Sequence, residues 1–80
     1  MKYFYLVDTN TKTIKKVNYK LSMIDFININ FIYSGLYGFK KLDNNYYIFN
    51  MLTRGWDYIV TTKKYAIDNL INNDFKLLDD

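Results

Sequence analysis

The chain predicts a small α+β domain: an antiparallel sheet of order ββαβββα, with a short final strand after the last helix and two helices packed on one face of the sheet. Three observations carry this. The stretch YYIFNMLTRGWDYIVTT, residues 46–62, reads as two apolar strands joined at Thr53-Arg54-Gly55. The segment 22–34 has helix-capping residues at both ends, and the segment 63–73 has apolar residues at helical spacing. No repeat, linker or low-complexity tract divides the chain, so residues 1–80 form one domain.

Residues 2–8, KYFYLVD, alternate Tyr3, Tyr5 and Val7 with Phe4 and Leu6, which predicts a strand. The run Asp8 to Lys12 is turn chemistry, because short Asx and Thr side chains satisfy nearby backbone groups. Thr13 to Tyr19 reads as a second, more polar strand whose Lys residues suit an exposed edge.

Ser22 followed by Asp25 resembles a capping box, and Gly35 would supply the left-handed residue that ends a helix. Ile27 to Phe31 also alternates with period two, so a strand competes; the caps decide for helix. In that helix Met23, Ile24, Ile27 and Phe31 form one apolar stripe, and Phe26, Ile29 and Tyr33 form a second. The second stripe needs a partner of its own, inside the chain or outside it.

Phe39–Leu42 is a short strand and Asp43-Asn44-Asn45 a turn. It leads into strands 46–52 and 57–61, with Gly55 expected to carry the positive φ of the hairpin loop. On the first of these, Tyr47, Phe49 and Met51 face one way and Tyr46, Ile48, Asn50 and Leu52 the other, so both faces are largely apolar, as in a strand inside a sheet. Thr62 is the expected cap of the last helix, in which Ala66, Ile67, Leu70 and Ile71 share a face. Asn72-Asn73 stops it, and residues 75–78 add the short final strand.

Composition narrows the function. The chain contains no Cys, His, Glu, Gln or Pro. It therefore offers no imidazole base, no thiolate nucleophile, no Ser-His-Asp arrangement and no zinc-thiolate site. Asp43-Asn44-Asn45 lacks the spacing and Gly of a calcium loop, and no glycine-rich phosphate cradle is present. The expectation is a non-enzymatic protein with no catalytic residue, no metal and no cofactor. No stretch approaches the ~20 apolar residues of a membrane span. With no cysteine and no export signal, a cytoplasmic location is expected and no membrane role. Nine Tyr, six Phe and a single Trp supply burial that a short chain otherwise lacks. The net charge of +3 is uneven, with a basic first half and a mildly acidic second half.

Two binding readings remain. In the first, the partner is another protein. Arg54 and Trp56, the only Arg and Trp of the chain, stand two residues apart at the hairpin turn, with Tyr58 beyond them. These residue types dominate binding hot spots. Phe26, Ile29 and Tyr33 are the second candidate surface, which serves equally as a homodimer seam. The AT-rich codon bias and small size would suit a phage or mobile-element inhibitor of a host nucleic-acid enzyme, acting by occlusion as anti-CRISPR proteins do. The alternative is a single-stranded RNA or DNA module on a basic, aromatic sheet face built from Tyr37, Phe39, Lys40, Lys41, Lys15 and Lys16. Tyr37-Gly38-Phe39-Lys40-Lys41 resembles the aromatic strand of an RRM, with Tyr3-Phe4-Tyr5 as its paired strand, but lacks that motif's basic start and its strand-helix-strand opening.

Overall fold

The computed structural model describes residues 3–18 and 20–78. The elements in order are β1 (Tyr3–Asp8), β2 (Thr13–Asn18), α1 (Met23–Asn30), a 3₁₀ turn (Ile32–Ser34), β3 (Tyr37–Leu42), β4 (Asn45–Asn50), β5 (Gly55–Thr61), α2 (Lys64–Asn72) and β6 (Lys76–Leu78). They form a small α+β fold with one six-stranded sheet, ordered β3-β4-β5-β1-β2-β6, and two helices. The expected places of Lys2 and Tyr19 in β1 and β2, and the Asp79-Asp80 end, lie outside the described residues.

The expected antiparallel sheet is corrected in two respects. The sheet is mixed: β6 pairs parallel to β2, Thr13 opposite Lys76 and Ile14 opposite Leu77, while the other pairings are antiparallel. The chain reaches this edge because Asp74 takes a left-handed φ of 71° after α2, with the Phe75 amide donating to the Leu70 carbonyl and the Lys76 amide to the Lys12 carbonyl.

The helices also lie on opposite faces of the sheet. Under α1 lie Phe4, Leu6, Val17, Ile48, Val60, Tyr46 and Tyr58, packed with Phe26, Ile27 and Phe31. Under α2 lie Tyr5, Val7, Ile14 and Ile59, packed with Ile67, Leu70 and Phe75. The physical reason is visible in β1. Phe4 and Leu6 point one way and Tyr5 and Val7 the other, so each face of this strand needs a cover.

Local chemistry fixes the element ends. The Ser22 hydroxyl accepts from the Asp25 amide (3.2 Å) and donates to its carboxylate (2.7 Å), a cap made within the first turn. The α-helix is shorter than expected: Phe31 leaves helical geometry at φ −126°, a 3₁₀ turn follows, and Gly35 closes it at φ 74°. Asp43 and Asn44 both have positive φ (53° and 64°), the geometry of a two-residue hairpin turn between the paired Leu42 and Asn45. At α2 the N-cap is Lys63, without a side-chain cap bond, and not Thr62. The Lys63 amide instead donates to the Thr61 hydroxyl (3.1 Å).

Candidate protein-binding face

The two long hairpins are built alike. In β1–β2 the Asp8 carboxylate accepts from the Asn10 and Thr11 amides and Lys12 takes φ 55°. In β4–β5 the Asn50 side-chain carbonyl accepts from the Leu52 and Thr53 amides, the Arg54 amide donates to the Asn50 carbonyl, and Arg54 takes φ 57°. Each strand thus ends in an Asx residue whose side chain organises a four-residue loop closed by a left-handed residue. Arg54, not Gly55, carries the positive φ. Gly55 is already in β5, opposite Asn50, and Met51 and Leu52 belong to the turn rather than to the strand.

Next to this turn the β4–β5 register slips. Ile48 faces Tyr58, but Phe49 faces Trp56, so Asp57 is an extra residue in β5. Regular pairing would set Phe49 opposite Asp57 and leave Trp56 on the same face as Tyr58. The bulge turns Trp56 over to the α2 side. It is held from the neighbouring hairpin. The Thr9 amide and hydroxyl both donate to the Asp57 carbonyl (2.9 Å each), the hydroxyl also donates to the Trp56 carbonyl, and Asn10 Nδ2 donates to Asp57 Oδ1 (3.2 Å).

Helix α2 packs on β5, β1 and β2, and its edge borders Asn45 and Tyr47 of β4 across a hollow. Beyond it, over β3, β4 and the turn end of β5, lies an open apolar shelf. Tyr47 and Phe49 meet Trp56 edge to face, with ring centroids 6.0 and 5.4 Å away at 82° and 75°. Gly38 makes room for Phe49: a Cβ there would stand 2.4 Å from the ring's Cζ. Trp56 is 51% exposed, Met51 53% and Leu42 54%. The indole stands between two open hollows. One, about 410 Å³, is lined by Thr9, Lys40, Leu42, Tyr47, Trp56 and Ile59. The other, about 380 Å³, is lined by Phe49, Met51, Arg54 and Trp56.

The expected site residues divide accordingly. Arg54 and Trp56 come together on the shelf. Tyr58 does not join them: the bulge leaves it on the α1 side, ring to ring with Phe31 (5.0 Å) and Tyr37 (6.1 Å), where burial raises its phenol pKa. Phe26 is 4% exposed and packs against Phe4 and Phe31, so it is core rather than part of a spare stripe. Ile29 (57% exposed) and Tyr33 (80%) do face outward, and Phe26, turned inward, is not part of the surface they present.

The alternative nucleic-acid set is dispersed. Lys15 and Lys16 lie on β2, four strand positions from β3, which is about 19 Å across a sheet. Lys16 sits over the Tyr3 ring (4.1 Å) and Lys41 over Tyr46 (5.8 Å) on opposite faces, and Tyr37 is half-buried under Phe31. Of that set only Lys40 reaches the shelf. Tyr47, Phe49, Met51 and Leu42 belong to the shelf without having been singled out for a site. The period-two face Tyr47/Phe49/Met51 was the signal available for three of them.

Among the described residues no helix is long and apolar enough to cross a membrane, and no group of three or more Asp side chains stands close enough to hold a metal ion. Comparison with protein-family models, with curated proteins and with solved structures returns no match.

Proposed function

We propose that this protein is a non-enzymatic binding protein that acts by stoichiometric contact with another protein, through the shelf around Trp56. The observation that carries the reading is the placement of the lone tryptophan: half-exposed, braced edge to face by Tyr47 and Phe49, and set on two paired strands whose turn is fixed by side-chain bonds. Rigid aromatic anchors with Arg and Met beside them are the usual composition of an interface centre, because they bury much area while losing little side-chain freedom. An inhibitor that occludes a host nucleic-acid enzyme is one form such a protein takes.

Capture from a bacterial lysate with the wild-type chain as bait, identification by mass spectrometry, and calorimetry on the purified pair test this. The expected result is saturation at equal stoichiometry and a loss of about thirtyfold or more in affinity for Trp56→Ala, which corresponds to ~2 kcal/mol. Arg54→Ala is expected to weaken binding in the same direction. A partner held unchanged by both variants would refute the assignment of the face. Self-association that disappears in Trp56→Ala would make the second copy the partner.

A further inference from the structure

The two hollows flanking Trp56 share a feature that the apolar shelf alone does not require. Each contains one cation, Lys40 in the larger and Arg54 in the smaller, and neither has a carboxylate among its lining residues. The ion pairs among the described residues lie elsewhere, Lys63 with Asp43 and Lys64 with Asp68. The nearest acid along the strand, Asp57, is engaged by Asn10 and lines neither hollow. Positive charge is therefore set on both sides of an apolar ridge, with no carboxylate lining either hollow and no ion pair to Lys40 or Arg54 among the described residues.

We infer that the segment taken by this face is an acidic peptide, with apolar side chains seated on both sides of the Trp56 indole and carboxylates reaching Lys40 and Arg54. This rests on the reading of the shelf as a protein-binding face and names the chemistry of its partner. Apolar side chains would displace water from Leu42, Tyr47 and Ile59 on one side and from Phe49 and Met51 on the other. The carboxylates would fix the direction of the segment, and Arg54 can hold one through two parallel bonds. A nucleic-acid strand fits less well. Successive bases stack on ring faces along a continuous track of cations, whereas these rings stand edge to face at 82° and 75° and the cations occur at two points.

The test is selection of random dodecapeptides, displayed on phage, against the immobilised full chain after depletion on its Trp56→Ala variant. Recovered peptides are expected to carry net negative charge and at least a pair of apolar residues. The best of them, synthesised with a fluorescent label, should bind more weakly as salt rises. Its affinity should fall about threefold for Lys40→Ala and for Arg54→Ala, the scale of an exposed ion pair, and about thirtyfold for Trp56→Ala. Recovery of neutral or basic peptides, no enrichment over the depleted pool, or tighter binding of labelled oligo-dT than of any selected peptide would each overturn the inference. The two readings fail separately. A lysate partner lost on Trp56→Ala, alongside non-acidic selected peptides, rejects the acidic segment and leaves the binding face standing.

Discussion

Replacement of Trp56 by alanine separates a contact residue from a core anchor, because the two roles predict different losses of stability. A fully buried aromatic side chain withdraws roughly 150–250 Å² from water. Trp56 remains 51% exposed, so about half of that, ~100 Å², is at stake. At ~25 cal/mol per Å² this is worth about 2.5 kcal/mol, and the edge-to-face contacts with Tyr47 and Phe49 add up to about 1 kcal/mol. Alanine retains its Cβ, and the site is open, so no closed cavity is left to add its own cost. These terms sum to about 3.5 kcal/mol, and because the unfolded chain already hides part of the area, an excess of roughly 10–40%, the expected loss is about 2–3 kcal/mol, toward or below the lower edge of the ~3–5 kcal/mol of a buried Phe or Trp truncation. An 80-residue chain has on the order of 4–12 kcal/mol to lose, so the variant folds. Urea unfolding followed by far-ultraviolet circular dichroism measures this without depending on the fluorescence of the residue removed. In the wild type, tryptophan emission should be red-shifted and readily quenched by acrylamide. A loss of ~4 kcal/mol or more, or a blue-shifted emission inaccessible to quencher, would mean that the indole is core and that the shelf is not a surface.

Three further outcomes follow from the same geometry. Gly38→Ala should cost about 1–3 kcal/mol, because its Cβ would stand 2.4 Å from the Phe49 ring; the loss should largely vanish in a Phe49→Ala background, and an equal loss in both would show that the ring is not the cause. Arg54→Gly should raise the unfolding free energy by about 0.5–1 kcal/mol by relieving a left-handed backbone at φ 57°, with Gly55→Ala within about 0.5 kcal/mol of wild type, its Cβ having no neighbour nearer than 3.6 Å; the reverse ranking would place the strain at Gly55. Stability should fall in alkali. Burial raises the phenol pKa values of Tyr5 and Tyr58 above the ordinary 10.0, so the unfolded chain loses those protons first; the stabilisation present below pH 10 is lost as pH climbs through the raised folded values. Tyr58→Phe should flatten that loss in urea titrations across the range, and an unchanged slope would refute the assignment.

Much of this fold could be read from residue order, because local chemistry wrote it. Ser22, Asp25 and Gly35 mark a helical segment by what their own side chains and backbones can do within a turn. The alternation in β1 and β4 marks strands, and its apolar character on both faces already implied covers on both sides of the sheet. The expectation of helices on one face overlooked that implication. The parallel placement of β6 left no trace, since Lys76–Leu78 is three residues long and its partner lies more than sixty residues back in the chain.

The site was legible by composition and illegible by orientation. Arg54 and Trp56 were conspicuous as singletons, but which face Trp56 occupies depends on one extra residue in β5, and a slip of one reverses every side chain beyond it. The bulged residues are held by the Thr9 and Asn10 bonds to Trp56 and Asp57, made by another hairpin nearly fifty residues away in sequence and so not visible within Gly55–Thr61. The tip near which the indole lies is organised locally by Asn50, whereas the bulge beside it is held from the turn of β1–β2. The shelf is consequently a property of the two hairpins docked together. Tyr58 could be mistaken for its neighbour because only the docked pair, and not the β5 strand alone, separates them.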